Sequence, residues 1–194
     1  MKRADMLHCA GVTAARYTVL KQRGQLPFLA NEDDGELMGS NYTLDHAYQL
    51  RLTLDLIGGE SSDDTQLQGL GPSYASSAVA NSAHYFPRHP LEQIEPVDWW
   101  AGVVVFEDEW PLRQEVLRWS AWFAGELQHF PKWVEQKSKR EPAEDGSMTG
   151  FSGVVRTFLV NATRAANYVR DRAQQRGLPE GEFSHPYNTA AGQK

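Results

Sequence analysis

The sequence predicts a mainly α-helical protein with a helix-turn-helix at its start, a linker, and a helical C-terminal domain with at most a short strand. Three observations predict this class. A turn at Gly11–Val12 separates two short helical patterns. Apolar residues recur at steps of three and four over residues 112–130 and 152–176. The 194 residues, 41% of them hydrophobic, are enough for one large domain or two small ones.

The start of the chain carries the signals of two helices joined by a tight turn. Residues 4–10 form the first helical pattern. Thr13 is a typical N-cap for a second helix over residues 14–23, and Gly24 is a typical stop. A helix, a tight turn and a capped helix in this order are typical of a helix-turn-helix, whose second helix enters the major groove of DNA.

Charge is distributed unevenly along the chain. The whole chain has a net charge of -6, yet residues 1–29 carry five basic residues against Asp5, a net of +4. Residues 30–60 carry a net of -6. Because salt screens charges over about 10 Å, the local balance matters more than the total. The basic start therefore favours contact with phosphate groups.

The helix-turn-helix interpretation predicts which side chains contact DNA. Arg16 reaches guanine edges or a phosphate, and Ala14 or Ala15 contacts a thymine methyl group. Lys21 and Arg23 lie further along the helix and meet phosphates. The complete predicted set is Lys2, Arg3, Thr13, Ala14, Ala15, Arg16, Thr18, Lys21 and Arg23.

Residues 4–57 resemble the N-terminal DNA-binding domain of the MerR family. The matching features are "GV" at residues 11–12, the Thr13 cap, "RGQLPF" at residues 23–28 and "NYTLDHAYQLRLTLDLI" at residues 41–57. The resemblance implies a winged helix-turn-helix. Its parts would be a recognition helix, a small β-hairpin wing over residues 28–42 and a supporting helix over residues 44–57.

The chain departs from the family pattern in ways that weaken DNA binding. Thr18–Val19–Leu20 stands where family members usually have an Arg–Tyr–Tyr run. The wing sequence "LANEDDGELMGSNY" contains four acidic residues and no basic one. Because fewer phosphate contacts release fewer counterions, we expect reduced affinity and reduced salt dependence. The metal-sensing cysteines of some relatives and a long heptad helix directly after residue 57 are absent as well.

The remainder of the chain predicts three further segments. Residues 59–90, dense in Gly, Ser, Asp and Pro, predict a flexible linker. Residues 91–178 contain all six tryptophans and predict an aromatic-rich helical domain for dimerisation or effector response. Residues 179–194 predict a mobile tail.

Within the aromatic-rich domain, a β-branched run predicts a short strand over residues 101–109. Residues 112–130 predict an amphipathic helix, and residues 152–176 predict a last helix that ends at Gly177. The acidic cluster Glu107–Asp108–Glu109 predicts a solvated turn. The tryptophans fit core packing, a partner surface or a small-molecule pocket, and Trp122 and Trp133 are candidates for an interface.

No catalytic arrangement is evident in the sequence. A phosphate-binding glycine loop, a nucleophile elbow and a zinc signature are all missing, so we expect neither enzyme activity nor a cofactor or metal. Apolar runs are too short for a membrane span, and the start has no signal-peptide pattern. The single cysteine, Cys9, predicts a small core residue and a cytoplasmic location.

These observations predict a sequence-specific DNA-binding transcriptional regulator that is dimeric and binds double-stranded DNA. A protein partner of the C-terminal domain is a further expectation. Two alternatives stay open. One is a phage-type accessory protein for DNA packaging or excision, and the other is an adaptor whose helix-turn-helix binds protein instead of DNA.

Overall fold

The computed structural model describes residues 1–28, 42–58, 69–82, 98–109, 116–139 and 152–178. The helices are α1 (Arg3–Ala10), α2 (Ala14–Gln22), α3 (Leu44–Ile57), α4 (Pro72–Ser82), α5 (Phe130–Ser138) and α6 (Ala162–Gln175), and the strands are β1 (Trp99–Glu109), β2 (Val116–Glu126) and β3 (Ser152–Asn161). The chain divides into two compact units. The helical unit comprises Met1–Pro96 and Ala162–Lys194, and the sheet unit comprises Val97–Asn161.

The prediction of a mainly α fold with at most a short strand is wrong. The described part of the chain is mixed α/β, because three strands of ten or eleven residues form an antiparallel sheet in the order β2-β1-β3. The strand predicted over residues 101–109 is confirmed and begins earlier, at Trp99. The helix predicted over residues 112–130 is instead mostly β2, and the last predicted helix is β3 followed by α6.

The error over β2 has a physical reason in the spacing of its apolar residues. Trp119 and Phe123 are four positions apart, which suits one face of a helix and equally one face of a strand. In the sheet they lie on one face, with Ala121 between them, opposite Phe106 and Gly102 of β1. In β3, the β-branched residues of "SGVVRTFLVN" favour a strand over a helix.

An aromatic cluster joins α5 to one face of the sheet. The rings of Phe106 and Trp119 stack with centroids 4.3 Å apart. Trp133 of α5 lies 5.4 Å from Phe123 and 6.2 Å from Phe106, and Phe130 lies 5.0 Å from Phe123. These contacts bury Phe106 and Phe123 completely and form the core of the sheet unit.

Helix α3 is the centre of the helical unit. Its leucines at positions 44, 50, 52, 54 and 56 are all buried, although they point to different sides of the helix. Such burial requires neighbours on several sides, and α1, α4 and α6 each pack against α3. Helix α6 contributes a face of small residues, including Ala165, Ala166 and Val169, which allows close approach to α1 and α3.

The helix boundaries predicted for the start of the chain are confirmed. Helix α1 ends at Gly11, whose φ of 68° is in the left-handed region. Thr13 caps α2, since its side chain accepts a hydrogen bond from the Arg16 backbone N–H at 3.2 Å. Thr43 and His46 form a capping box at the start of α3, which spans the predicted residues 44–57.

Several predicted segments fall partly or wholly on residues that the structure does not describe. Residues 29–41 of the predicted wing and the predicted tail at residues 179–194 lie outside the described residues. Within the range predicted as a linker, residues 69–82 are described, and Pro72–Ser82 of them form α4. No helix in the described ranges is long and apolar enough to cross a membrane.

We expect Gly102→Ala to destabilise the sheet unit. A Cβ at Gly102 would lie 1.8 Å from the backbone oxygen of Phe158, so β1 and β3 would have to separate. Overpacking of this kind costs about 1–3 kcal/mol of unfolding free energy. Because all six tryptophans lie in the sheet unit, urea unfolding followed by tryptophan fluorescence reports on that unit.

The matched control for this substitution is Gly153→Ala in β3, where a Cβ meets nothing within 4 Å. We expect that variant to unfold at the urea concentration of the unsubstituted protein or slightly above it. Equal midpoints for the two variants would contradict the close approach of β3 at Gly102.

Candidate nucleic-acid interface

Helix α2 exposes small side chains near its start and buries two large apolar ones. Tyr17 and Leu20 are buried, whereas Ala14, Ala15 and Thr18 are exposed. Ala14 and Ala15 lie four and three positions before Thr18, so both are its neighbours on the helix surface. Small side chains allow another molecule to approach the helix backbone closely. This exposed side contains three of the residues that the sequence predicts to contact DNA.

The hydroxyl of Thr18 donates to the Ala14 carbonyl oxygen at 2.8 Å, so this donor is already used within α2. A contact with a base would therefore use the Thr18 methyl group or the lone pairs of its oxygen. Thr13, also exposed, uses its hydroxyl as the acceptor of the N-cap hydrogen bond. The hydroxyl oxygen of Thr13 is thus used to cap α2, which makes Thr13 less suited to contact DNA than the other predicted residues.

Basic side chains lie at the start of α1, on α2 and at its C-terminal end. Lys2, Arg3, Lys21 and Arg23 are exposed, and Arg16 is half-buried with its Nε shielded from solvent. Within the described part of the chain, none of these five side chains forms a salt bridge with an acidic residue. Their charges are therefore available to an external anion, and Asp5 of α1 is the acidic residue nearest to them in sequence.

Aromatic contacts hold α2 against the start of α3. The hydroxyl groups of Tyr17 and Tyr42 lie 2.9 Å apart in a buried hydrogen bond. Burial and this hydrogen bond raise the pKa of Tyr17 above its ordinary value of 10, while the nearby charge of Arg3 opposes the shift. Tyr17 therefore remains neutral, and the effect of Arg3 on its pKa indicates that the start of α1 lies close to α2.

The two ends of the predicted wing lie side by side in the core. The ring centroids of Phe28 and Tyr42 are 6.2 Å apart, and both rings pack edge-on against His46 at 4.8 Å and 5.9 Å. All three residues are buried. This arrangement brings the residues before and after segment 29–41 together next to α2.

Helix α6 packs behind the turn between α1 and α2. A Cβ at Gly11 would lie 2.2 Å from the hydroxyl oxygen of Tyr168, so only glycine fits there. Arg51 lies over the Tyr168 ring at 4.6 Å from its centroid, and Arg172 lies at 5.3 Å from it. We call Gly11, Arg51, Tyr168 and Arg172 the Tyr168 cluster.

Two further contacts fix the arginines of the Tyr168 cluster. Arg172 Nε donates to the carbonyl oxygen of His8 at 2.5 Å, near the end of α1. Arg51 Nε donates to Asp55 at 3.1 Å. Burial lowers the pKa of Arg51, but hydrogen bonds with Asp55 and Tyr168 outweigh it and raise the pKa overall. Sequence patterns do not indicate this cluster, because its members come from the turn after α1 and from two helices, α3 and α6, that are far apart in the chain.

The imidazole of His8 lies in an unfavourable place for a positive charge. Burial lowers its pKa below the ordinary 6.5, and Arg172 and Arg176 lower it further, while Asp5 partly offsets them. Its Nε2 is shielded from solvent and has no hydrogen-bond partner among the described residues. The neighbouring Cys9 is fully buried, which confirms it as a core residue, and burial raises the pKa of its thiol.

The two tryptophans predicted as interface candidates occupy different faces of the sheet. Trp133 belongs to the aromatic cluster with Phe106 and Phe123. Trp122 is half-buried and lies opposite Val103 in the register, on the other face of the sheet. Of the two interface candidates, Trp122 is therefore the one on the sheet face that α5 does not cover.

The solvated turn predicted at Glu107–Asp108–Glu109 is wrong, because these residues belong to β1. Asp108 is buried and accepts hydrogen bonds from Trp119 Nε1 at 2.8 Å and from the Ser152 hydroxyl. Buried carboxylates need such donors. Asp108 thus links all three strands at one end of the sheet. In the described ranges, no group of three or more His, Cys, Asp or Glu residues is placed to hold a metal ion.

Comparisons with known proteins do not assign the chain to a family. No protein family matches the sequence, and neither the curated proteins nor the solved structures contain a significant match. The similarity of residues 4–57 to the MerR family therefore stays a prediction.

We expect Gly11→Ala to destabilise the helical unit more than Gly24→Ala. Both glycines have a left-handed φ, 68° and 63°, so each substitution costs about 1–2 kcal/mol in backbone strain. Only at Gly11 does the added methyl group also collide with Tyr168, since a Cβ at Gly24 meets nothing within 4 Å. Thermal unfolding followed by circular dichroism at 222 nm measures the difference, and equal melting temperatures would rule out the packing of Tyr168 on the turn.

Because the folded-state pKa of His8 is lowered, we expect the helical unit to lose stability as the pH falls below about 6.5. In the window between the folded pKa and 6.5, the unfolded chain binds more protons than the folded one, so stability rises with pH. Above 6.5 the contribution of His8 is constant. Melting temperatures of the protein and of His8→Gln between pH 5 and pH 8 test this, and the variant should show the weaker dependence. Identical profiles would contradict it.

Proposed function

We propose that this chain is a sequence-specific, double-stranded DNA-binding regulator that inserts α2 into the major groove. The observation that carries the proposal is the exposure of small residues on α2, on a helix pair whose ends and exposed positions carry five basic side chains without acidic partners in the described part of the chain. Small residues allow the helix to approach the base edges, and the cations meet the phosphates. The MerR-like features of residues 4–57 agree with this arrangement.

In the proposed complex the side chains divide into two groups. Ala14, Ala15 and the Thr18 methyl group contact apolar parts of bases such as the thymine methyl, and Arg16 donates to a guanine edge. Lys2, Arg3, Lys21 and Arg23 contact phosphates and fix the register of the helix on the duplex. The Tyr168 cluster packs on the turn between α1 and α2, and the Tyr17–Tyr42 hydrogen bond holds α2 against the start of α3.

The charge balance sets the expected strength of binding. Four phosphate contacts give a slope of about -3.6 in a plot of log K against log salt concentration. The acidic residues between positions 30 and 36 repel DNA phosphates that come close to them, and this repulsion opposes binding. We therefore expect modest affinity from one copy of the helix-turn-helix. Two copies on a shared duplex would bind more tightly through the effective concentration of the second site.

One observation favours a second candidate function, that of a protein-binding adaptor. Val19 of α2 is 41% exposed and lies beside Ala15, so the face of the helix is partly apolar. An apolar helix face suits a protein groove as well as a major groove. The two functions differ in their dependence on charge, because binding to a protein groove needs no series of phosphate contacts.

Binding of the full chain to duplex DNA, measured by fluorescence anisotropy over a series of salt concentrations, tests the proposal. We expect a slope near -3.6, and we expect Lys21→Ala to reduce its magnitude by about one. Arg16→Ala should weaken binding to a selected operator by about ten- to a hundredfold, corresponding to about 1–3 kcal/mol.

Lys137→Ala is the matched control for these variants, because Lys137 is an exposed lysine of α5 in the sheet unit. It should leave the affinity and the slope unchanged. If the folded protein fails to bind duplex DNA even at about 20 mM salt, DNA binding is excluded and the adaptor function is favoured.

A further inference from the structure

Strand β2 lies at an edge of the sheet. Within the described part of the chain it pairs with β1 alone, over eleven residue pairs from Val116 to Glu126 without a shift in register. A long and regular edge strand is a template for pairing with another strand. Natural proteins usually protect such an edge with proline, charged side chains (lysine above all) or a bulge. Between Val116 and Glu126 there is no proline, lysine or bulge, and the charged residues are Arg118 and Glu126, which have opposite signs.

The charges of β2 are arranged symmetrically about its Trp122. Arg118 lies four residues before Trp122 and Glu126 lies four residues after it. All three occupy the same face of the sheet, because side chains alternate along a strand and these positions differ by even numbers. This face is opposite the one on which Phe123 contacts α5. An antiparallel strand of the same sequence, centred on Trp122, would therefore place an arginine opposite each glutamate.

We propose that two copies of the chain associate through β2, in antiparallel register about a two-fold axis at Trp122. The two sheets would join into one of six strands, in the order β3-β1-β2-β2-β1-β3. Backbone hydrogen bonds between the two β2 strands would supply the attachment. Two Arg118–Glu126 pairs and one Trp122–Trp122 pair would fix the register, because cross-strand charge pairs and aromatic pairs are favourable when directly opposite.

The present partners of these side chains leave room for the proposed contacts. Arg118 Nε donates to Glu107 at 2.9 Å, but the side chain is 67% exposed, so its terminal nitrogens remain accessible. Glu126 accepts a hydrogen bond from Gln128 through one carboxylate oxygen, and its other oxygen can accept from a second donor. Trp122 is half-buried and presents part of its indole ring to solvent.

The other edge of the sheet is less suited to self-association. Strand β3 has a register shift against β1 between Val105 and Phe106, and such an irregularity bends an edge strand away from regular pairing. Val154 and Val155 are exposed, but Arg156 is the only charged residue of β3. Because β3 has no carboxylate, no self-pairing of that strand gives an arginine a charged partner. The charge pattern therefore favours β2 over β3 as the strand through which two copies associate.

This dimer does not depend on DNA binding by α2. If both proposals hold, one molecule of the dimer carries two copies of α2, as a regulator with two half-sites requires. If DNA binding fails, the dimer is still expected. The two proposals are thus tested by separate measurements.

Sedimentation velocity of the full chain without DNA, at concentrations from about 1 to 100 µM, measures association directly. We expect a concentration-dependent dimer. A monomer throughout this range would overturn the proposal.

Charge reversal tests the register. Arg118→Glu places like charges opposite each other at two positions of the dimer, and so does Glu126→Arg. Each variant alone should dimerise at least about tenfold more weakly than the unsubstituted protein. An equimolar mixture of the two variants should form a heterodimer, because every carboxylate then faces an arginine. Misfolding cannot produce this recovery, so the mixture separates an interface from a purely structural role of these residues.

Arg156→Glu is the matched control, because it reverses an exposed arginine of the same sheet at its other edge. It should leave dimerisation unchanged. Dimers of unaltered strength in both β2 variants, or a mixture that remains as monomeric as its components, would overturn the proposed interface.

Discussion

The packing of Tyr168 on Gly11 is the contact on which the arrangement of the helical unit depends. Gly11 supplies the left-handed turn that separates α1 from α2, and the Tyr168 hydroxyl occupies the space where any other residue would place its Cβ. Arg51 from α3 and Arg172 from α6 lie over the same ring. One aromatic side chain thus connects α3 and α6 to the turn. The orientation of α2 follows from that turn and from the hydrogen bond between Tyr17 and Tyr42.

Local signals in the sequence predicted the start of the chain well and the sheet unit poorly. Gly11, Thr13 and Thr43 act through hydrogen bonds and backbone angles within a few residues of themselves, so the boundaries of α1, α2 and α3 could be predicted. Strand β2 could not be predicted, because Trp119 and Phe123 satisfy a helical and a strand period alike. Its conformation is decided by pairing with β1, which is a contact between distant residues.

The candidate site also has one part that local sequence predicts and one part that depends on contacts between distant residues. Ala14, Ala15 and Thr18 are exposed near the start of α2, and their position in the predicted recognition helix alone indicated it. The packing of α6 behind the site could not be predicted from local sequence patterns. Helix α6 lies more than 150 residues after α1 in the chain, yet the two pack together. No periodicity or cap links Tyr168 to Gly11, so only the three-dimensional structure connects them.

The connection between β3 and α6 has a consequence for how the protein is made. The last residue of β3, Asn161, is followed directly by the first residue of α6, Ala162. During translation the entire sheet unit therefore emerges before the helix that completes the helical unit. Until then α1 and α3 can pack against each other but lack α6 as a partner. Because contacts between such distant segments form slowly, we expect the packing of the helical unit to be completed last.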